Sequence, residues 1–337
     1  MTFLIQQTLL YAVPLMIVAL AGVFAERSGI INLALEGIMI FGAFIGVLFV
    51  RSMQSFDVFV NAARSGSWLT LQGLELLAML VSAIMGAVFS LLLSFASVNL
   101  KADQTIGGTA LNLMAPALVL FLVRILANQN TLMMATGDAA SWFMIKKSTF
   151  GIKKSTDIGF LGETFLHKVY LATYICILIF IILSIILYKT RFGLRLRSCG
   201  ENPQAADSVG INVYKMRWAG VLISGVLGGL GGICYILAGV SEWKFENGVA
   251  GFGFLALAVM IFGQWKPTRI ALAALLFGMF RALSNVYTGF SFLTALNIPS
   301  TVYNMLPYII SLVVLAFTSK KSRAPKAEGI PYDKGSR

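Results

Sequence analysis

Reactive chemistry is nearly absent from this 337-residue chain, which has one histidine, three cysteines and only 12% charged residues. His167 stands alone at the start of an apolar run, with no Ser-His-Asp or Cys-His set around it, and reads as interfacial rather than catalytic. Cys176 and Cys234 fall inside apolar runs and Cys199 in a basic segment. That spacing offers neither a disulfide framework nor a zinc site, so all three read as packing residues. No G-x-x-x-x-G-K-[ST] stretch occurs, which excludes a phosphate-binding nucleotide loop on this polypeptide. A membrane-bound transferase would need His, Asp or Glu clustered at one surface, and a lone histidine does not supply it.

What the chain has in abundance is apolar surface: 58% hydrophobic residues and a mean hydropathy of +0.84. Globular domains are about half apolar and about a quarter charged, so the expected class is an all-α polytopic membrane protein. A bilayer core of about 30 Å takes roughly 20 apolar residues per helix. Runs of that kind fall near 3–24, 30–50, 73–98, 105–127, 169–188, 218–240, 250–265, 270–288 and 300–318, which makes nine spans within a range of eight to ten. The run at 250–265 is short and Gly-flanked and is expected to enter the bilayer without being a regular helix. One integral domain, 1–320, therefore carries a polar segment at 189–217, followed by a basic tail, 321–337, expected to be disordered.

The net charge of +12 would suggest nucleic acid in a soluble protein. Here the basic residues cluster beside apolar runs, where they orient spans and meet anionic lipid, so no nucleic-acid partner is expected. With 189–217 placed inside the cell, the inside segments hold twice the Lys and Arg of the outside ones, although Lys146, Lys147, Lys153 and Lys154 run against the bias. Ala19-Leu20-Ala21 resembles a signal cleavage site, but no Lys or Arg precedes Arg27, so the first run is expected to stay as a helix.

Within the polar segment, Asn202 suits an N-cap, Pro203 the first helical position and Gly210 the left-handed position that ends a helix. A helix of about two turns is predicted over 203–209. Ala205 and Val209 lie one turn apart on a face of little bulk that another backbone can approach. Arg195, Arg197, Lys215 and Arg217 are expected to surround this knob with positive charge. The plainer alternative is an amphipathic linker lying on anionic headgroups.

The stretch GENPQAADSVGINVYKMR followed by WAGVLISGVLGGLGGICY resembles the cytosolic coupling segment and next helix of bacterial ABC importer permeases of the branched-chain amino acid, ribose and simple-sugar superfamily. AERSGIINLALEGIMIFGAF resembles the nucleoside and simple-sugar branch of that family. The resemblance runs from about residue 10 to 318 and implies a type II importer-like bundle in the cytoplasmic membrane. It implies a short helix that docks in a groove of an ATP-hydrolysing subunit through Asn202, Pro203, Ala205, Ala206, Asp207 and Gly210. It further implies ATP and Mg on that subunit with no cofactor here, a second permease chain, the same or related, a substrate-binding lipoprotein outside, and a nucleoside or simple sugar as cargo. The family often has ten spans, and on that count this chain starts one helix late.

The Gly-rich run at 225–232 has Gly225, Gly229 and Gly228, Gly232 at small-xxx-small spacing, which favours close helix packing over a nucleotide loop. LALEGIMIFG at 33–42 and LALAVMIFG at 255–263 form a possible internal repeat, and transporters often place the substrate route between paired repeats. For that route the candidates are Asn32 and Glu36, expected one turn apart on one face of the second span, with Asn112 and Asn285. The alternative for Glu36 is a structural carboxylate that caps a helix or pairs with Arg27. For Asn112, Asn285 and Asn304 the alternative is hydrogen bonding between helices. None of the 25 Phe residues can be singled out for stacking. An ion-coupled secondary transporter would need a relay of intramembrane acids or histidines, and only Glu36 is well placed for one. A permease for another small solute, such as a branched-chain amino acid, is the nearer alternative.

Overall fold

The computed structural model describes residues 2–127, 143–153, 158–239, 248–289, 299–318 and 324–335. In chain order the helices are α1 (Thr2–Arg27), α2 (Leu35–Met53), α3 (Asp57–Ser65), α4 (Trp68–Ser94, continued by a π turn over Phe95–Asn99) and α5 (Gln104–Ala127). After these come α6 (Gly159–Phe165), α7 (Leu171–Lys189), α8 (Arg191–Glu201), α9 (Pro203–Ser208) and α10 (Val213–Gly239). The last three are α11 (Phe252–Phe262), α12 (Pro267–Val286) and α13 (Ser300–Thr318). Two short antiparallel strands, Met144–Ile145 and Val169–Tyr170, close the segment before α7.

Seven of the described helices (α1, α2, α4, α5, α7, α10 and α12) are long and apolar enough to cross a bilayer. The run at 250–265 is realised as the 11-residue α11, entered from a left-handed Gly251; it is a regular helix, contrary to the expectation of an irregular segment, but is shorter than the helices long enough to cross a bilayer. α13 falls on the ninth expected run. The count of nine is therefore not established by helix length alone. α3 was not anticipated, because its nine residues alternate polar and apolar character too briefly to register as a span.

α1 and α10 form the centre. From Ala12 to Ala25 nearly every α1 side chain is buried, whereas α4, α5 and α7 turn Leu80, Ile84, Leu113, Phe121, Leu178 and Ile185 outward as a lipid-facing surface. The Gly-rich stretch lets α10 meet its neighbours backbone to backbone. A Cβ on Gly229 would run into the Ser82 carbonyl of α4, and one on Gly232 into the Met39 carbonyl of α2. The expectation of close packing is thus met, by the small-residue route that membranes favour. Cys176 on α7 and Cys234 on α10 sit buried with their thiols 3.2 Å apart, unbonded.

Residues 324–335 do not behave as the disordered tail expected from their charge. Pro325, Ala327 and Tyr332 are buried against the α8–α10 region, because an apolar residue recurs between the charges and finds a docking place there.

Candidate functional site

Two places gather the residues of interest. The first is the knob at α9. Asn202, extended at φ −152°, ends α8 and starts α9: its N–H donates to Ser198 O at 2.9 Å and its Oδ1 accepts from the Ala205 N–H at 3.0 Å. Pro203 takes the first helical position, where a missing N–H costs nothing. Gly210 is left-handed at φ +83°, as its place after the helix demands. Asn212 then caps α10, its Oδ1 accepting from the Lys215 N–H at 3.0 Å.

The knob has two unlike faces. Ala206 is buried against Cys199, Val213 and Tyr332, whereas Ala205 and Ser208 are exposed and Val209 is 74% exposed. Asp207 is partly buried, with Lys334 Nζ 3.9 Å from its carboxylate. Arg195 and Lys215 are exposed, but Arg217 does not belong to the expected positive rim. It is 1% exposed, packs against the turn at Gly29, and its Nη1 donates to the Ile330 carbonyl at 2.9 Å. Arg27 pairs with Glu201 at 3.1 Å rather than with Glu36.

The second place is the break before α11, deep in the bundle. Glu36 lies in the first turn of α2 and is buried. Its Oε1 accepts from the Gly251 N–H at 2.9 Å and its Oε2 from the Gly253 N–H at 2.6 Å, so the carboxylate caps the α11 N-terminus. The geometry is what a helix dipole favours. Asn32 does not share a face with Glu36, because the chain is non-helical from Ser28 to Ala34 and α2 starts only at Leu35. Asn32 Nδ2 instead donates to Ser224 Oγ of α10 at 2.8 Å, and its Oδ1 accepts from the Ala34 N–H. Asn112 ties α5 to the same turn: Oδ1 accepts from the Gly37 N–H at 2.8 Å and Nδ2 donates to Leu33 O at 2.5 Å. Both amides tie the turn before α2 to a neighbouring helix, α10 for Asn32 and α5 for Asn112.

Asn285 lies in a different setting. Its Nδ2 donates to the Tyr11 hydroxyl, beside a group of rings around Phe252. Phe252 lies 4.2 Å from Tyr235 and 6.0 Å from Tyr11, centroid to centroid, with the Arg281 guanidinium 5.9 Å over its face. The Tyr308 hydroxyl donates to Ala250 O at 2.6 Å, on the chain segment leading into α11. Arg281 Nε is buried without a hydrogen-bond partner among the described residues, while the guanidinium interacts electrostatically with the phenols of Tyr11, Tyr235 and Tyr308. Glu36 and Asn285 thus border one aromatic and cationic cluster, which Asn32 and Asn112 do not reach. Tyr11, Tyr235, Phe252 and Tyr308 were missed from the sequence. A phenol inside an apolar run, as at Tyr11 and Tyr235, was the available signal, since a buried hydroxyl requires a partner. The Asn304 side chain lies outside the described residues.

A family model described as the permease component of branched-chain amino acid transport systems matches residues 4–316. The chain belongs to this permease family. Its members are transport subunits of the cytoplasmic membrane, in keeping with the helical bundle above. Among similar proteins is the nucleoside ABC transporter permease protein NupC of Lactococcus lactis, 41% identical over 98% of this chain and 96% of its own length. Another is the guanosine ABC transporter permease protein NupQ of Bacillus subtilis, 40% identical over 100% of this chain and 98% of its own. A putative glucose ABC transporter permease protein, TsgC13 of Haloferax volcanii, is 27% identical over 83% of this chain. No solved structure matches the permease.

Proposed function

We propose that this permease is the membrane subunit of an ABC importer that carries nucleosides into the cell, with ATP bound together with Mg and hydrolysed on a separate subunit. The observation that carries the cargo assignment is the near-full-length likeness, at 40–41% identity, to two permeases whose names specify nucleoside and guanosine transport. The cluster around Phe252 is chemically suited to such a cargo, combining the rings of Tyr11, Tyr235 and Tyr308 with Arg281 and Asn285, but it is closed in this arrangement: Tyr11, Tyr235 and Phe252 are buried and the Tyr11 and Tyr308 hydroxyls bond Asn285 and Ala250, so the helices must part for a base to enter. Stacking of a base on an aromatic ring contributes about 1–3 kcal/mol and is tolerant of base identity. Glu36, through its grip on Gly251 and Gly253, holds the break in place beside the cluster rather than offering a free charge to the cargo.

In this account a substrate-binding lipoprotein delivers the nucleoside outside, a second permease chain completes the passage, and the ATP-hydrolysing subunit grips the outer side of α9 through Asn202, Pro203, Ala205, Asp207 and Gly210, while Ala206, expected from the sequence to share in that contact, faces inward and anchors α9 to its socket. ATP binding favours one arrangement of the subunits, and displacement of α9 is transmitted as rigid-body movement of the helices. The experiment is uptake of radiolabelled guanosine by proteoliposomes holding the permease and its partner subunits. Uptake is expected to require ATP and to survive collapse of ion gradients. Uptake by the permease alone, abolished with the ion gradient, would overturn the reading.

A further inference from the structure

Residues 324–335 cross the knob side of the molecule as a strap that touches almost every element meeting there. The Ala327 N–H donates to Gly200 O of α8 at 2.9 Å, and the Gly329 N–H donates to Gly29 O, in the turn after α1, at 3.2 Å. Arg217 of α10 donates to Ile330 O at 2.9 Å. Tyr214 of α10 packs its ring 5.3 Å from that of Tyr332, and its hydroxyl donates to Tyr332 O at 3.4 Å. Asp333 pairs with Lys101, beyond α4, at 3.1 Å, and Lys334 lies 3.9 Å from Asp207 on α9 itself.

The knob needs such a support. A helix of six residues has no stability of its own in water. Ala206 is the only α9 side chain buried outright, and what it is buried against is Cys199, Val213 and the Tyr332 ring. One wall of the socket that holds α9 is therefore made by the strap. The same strap is bonded to the ends of α1 and α10, the two central helices of the bundle. Arg217 fixes the junction: it is fully buried, and a buried guanidinium is costly unless its contacts are kept. Gly29 stands beside it at φ +96°, where an added Cβ would lie 2.9 Å from Arg217 Nη2.

We infer that residues 324–335 are a positioning element for energy coupling, locking α9 to α1 and α10 through Tyr332 and Arg217 so that a push on the knob moves the bundle instead of tilting α9. The inference rests on the reading of α9 as the contact for the ATP-hydrolysing subunit. Without the strap α9 still protrudes and is still gripped, but the displacement is lost at a loose joint.

The test uses the complete complex, with ATP-hydrolysing subunit and binding protein, in proteoliposomes. Three variants are compared: removal of 324–337, Tyr332→Ala and Tyr332→Phe. The readouts are retention of the ATP-hydrolysing subunit, the rate of ATP hydrolysis and the nucleoside moved per ATP. Removal and Tyr332→Ala are expected to keep the subunit and its hydrolysis while transport per ATP falls about five-fold or more, the scale of one lost buried contact. Tyr332→Phe keeps the ring and is expected to keep the ratio. A purely structural role would lower hydrolysis and transport together and leave their ratio unchanged, and that result overturns the inference, as does an unchanged ratio at full activity. Loss of the subunit from Tyr332→Ala also overturns it, by making the strap a binding segment. If the permease with residues 324–337 intact holds its ATP-hydrolysing subunit even with Ala205→Trp, the reading of α9 has failed instead.

Discussion

Replacing Glu36 tests whether a buried carboxylate at the break before α11 is structural. In Glu36→Ala the Gly251 and Gly253 N–H groups lose a charged acceptor at 2.9 and 2.6 Å in a largely buried place. Each hydrogen bond to a charged group contributes about 1.5–3 kcal/mol, so the two together amount to about 3–6 kcal/mol. That is a large share of the about 5–15 kcal/mol by which folded proteins are stable. Glu36→Gln keeps one carbonyl acceptor but turns an amide donor toward the second N–H and gives up the interaction with the helix terminus, worth up to about 2 kcal/mol. Its loss is expected to be smaller than that of Glu36→Ala but still measurable. The assay is the thermal unfolding midpoint of the permease in lipid nanodiscs, followed by tryptophan fluorescence, with guanosine uptake measured in parallel. Both variants are expected to lower the midpoint, Ala more than Gln, with uptake falling in the same order. Midpoints equal to that of the unaltered protein, with uptake abolished, would refute the capping role and make Glu36 a transport-path residue.

Other perturbations separate the remaining parts. Ala205→Trp fills the exposed face of α9 and is expected to release the ATP-hydrolysing subunit without lowering the unfolding midpoint; Ala206→Trp overpacks the socket shared with Cys199, Val213 and Tyr332, costing about 1–3 kcal/mol, so its midpoint is expected to fall. Burial lifts the Glu328 carboxyl to about 7, against the opposing pull of Arg27 and of its hydrogen bond with Glu26, which also accepts from Trp265 Nε1. The docked strap therefore holds this proton more tightly than a released one, and docking weakens as pH rises from the ordinary carboxyl range through about 7. The protection of the 324–335 amides, taken as exchange relative to the base-catalysed rate of an unstructured chain at the same pH, is expected to be lower at about pH 8 than at about pH 6, and Glu328→Gln to remove that difference. Gly229→Ala drives a methyl into the Ser82 carbonyl, so the α4–α10 contact is expected to open and the yield of detergent-stable permease to drop.

Much of the knob was legible because its signals are local: an Asn-Pro pair starts α9 and a glycine ends it, and neither depends on distant packing. The Gly-rich stretch of α10 was legible for a similar reason, since small residues four apart have one use in an apolar helix. The break before α11 was visible in its flanking glycines. What was not visible depended on tertiary contacts. Asn32 and Glu36 have helical spacing, but the left-handed Gly29 begins a non-helical turn that separates them. Arg217 reads like its basic neighbours until the fold buries it beneath Ile330 and Gly29. The tail reads as charged and disordered because its anchors, Ala327 and Tyr332, are few and bind to surfaces assembled from α1, α8 and α10.

The claim on which the account depends is that α9 faces the cell interior and is covered by an ATP-hydrolysing subunit. Ser208→Cys tests it directly, because Ser208 is exposed and the three native thiols are buried, so the introduced thiol alone should react. An impermeant maleimide is expected to label it in inverted vesicles stripped of the subunit, to be blocked when the subunit is added back, and to leave intact cells unlabelled. Labelling of intact cells, or labelling that the added subunit does not diminish, would contradict the account.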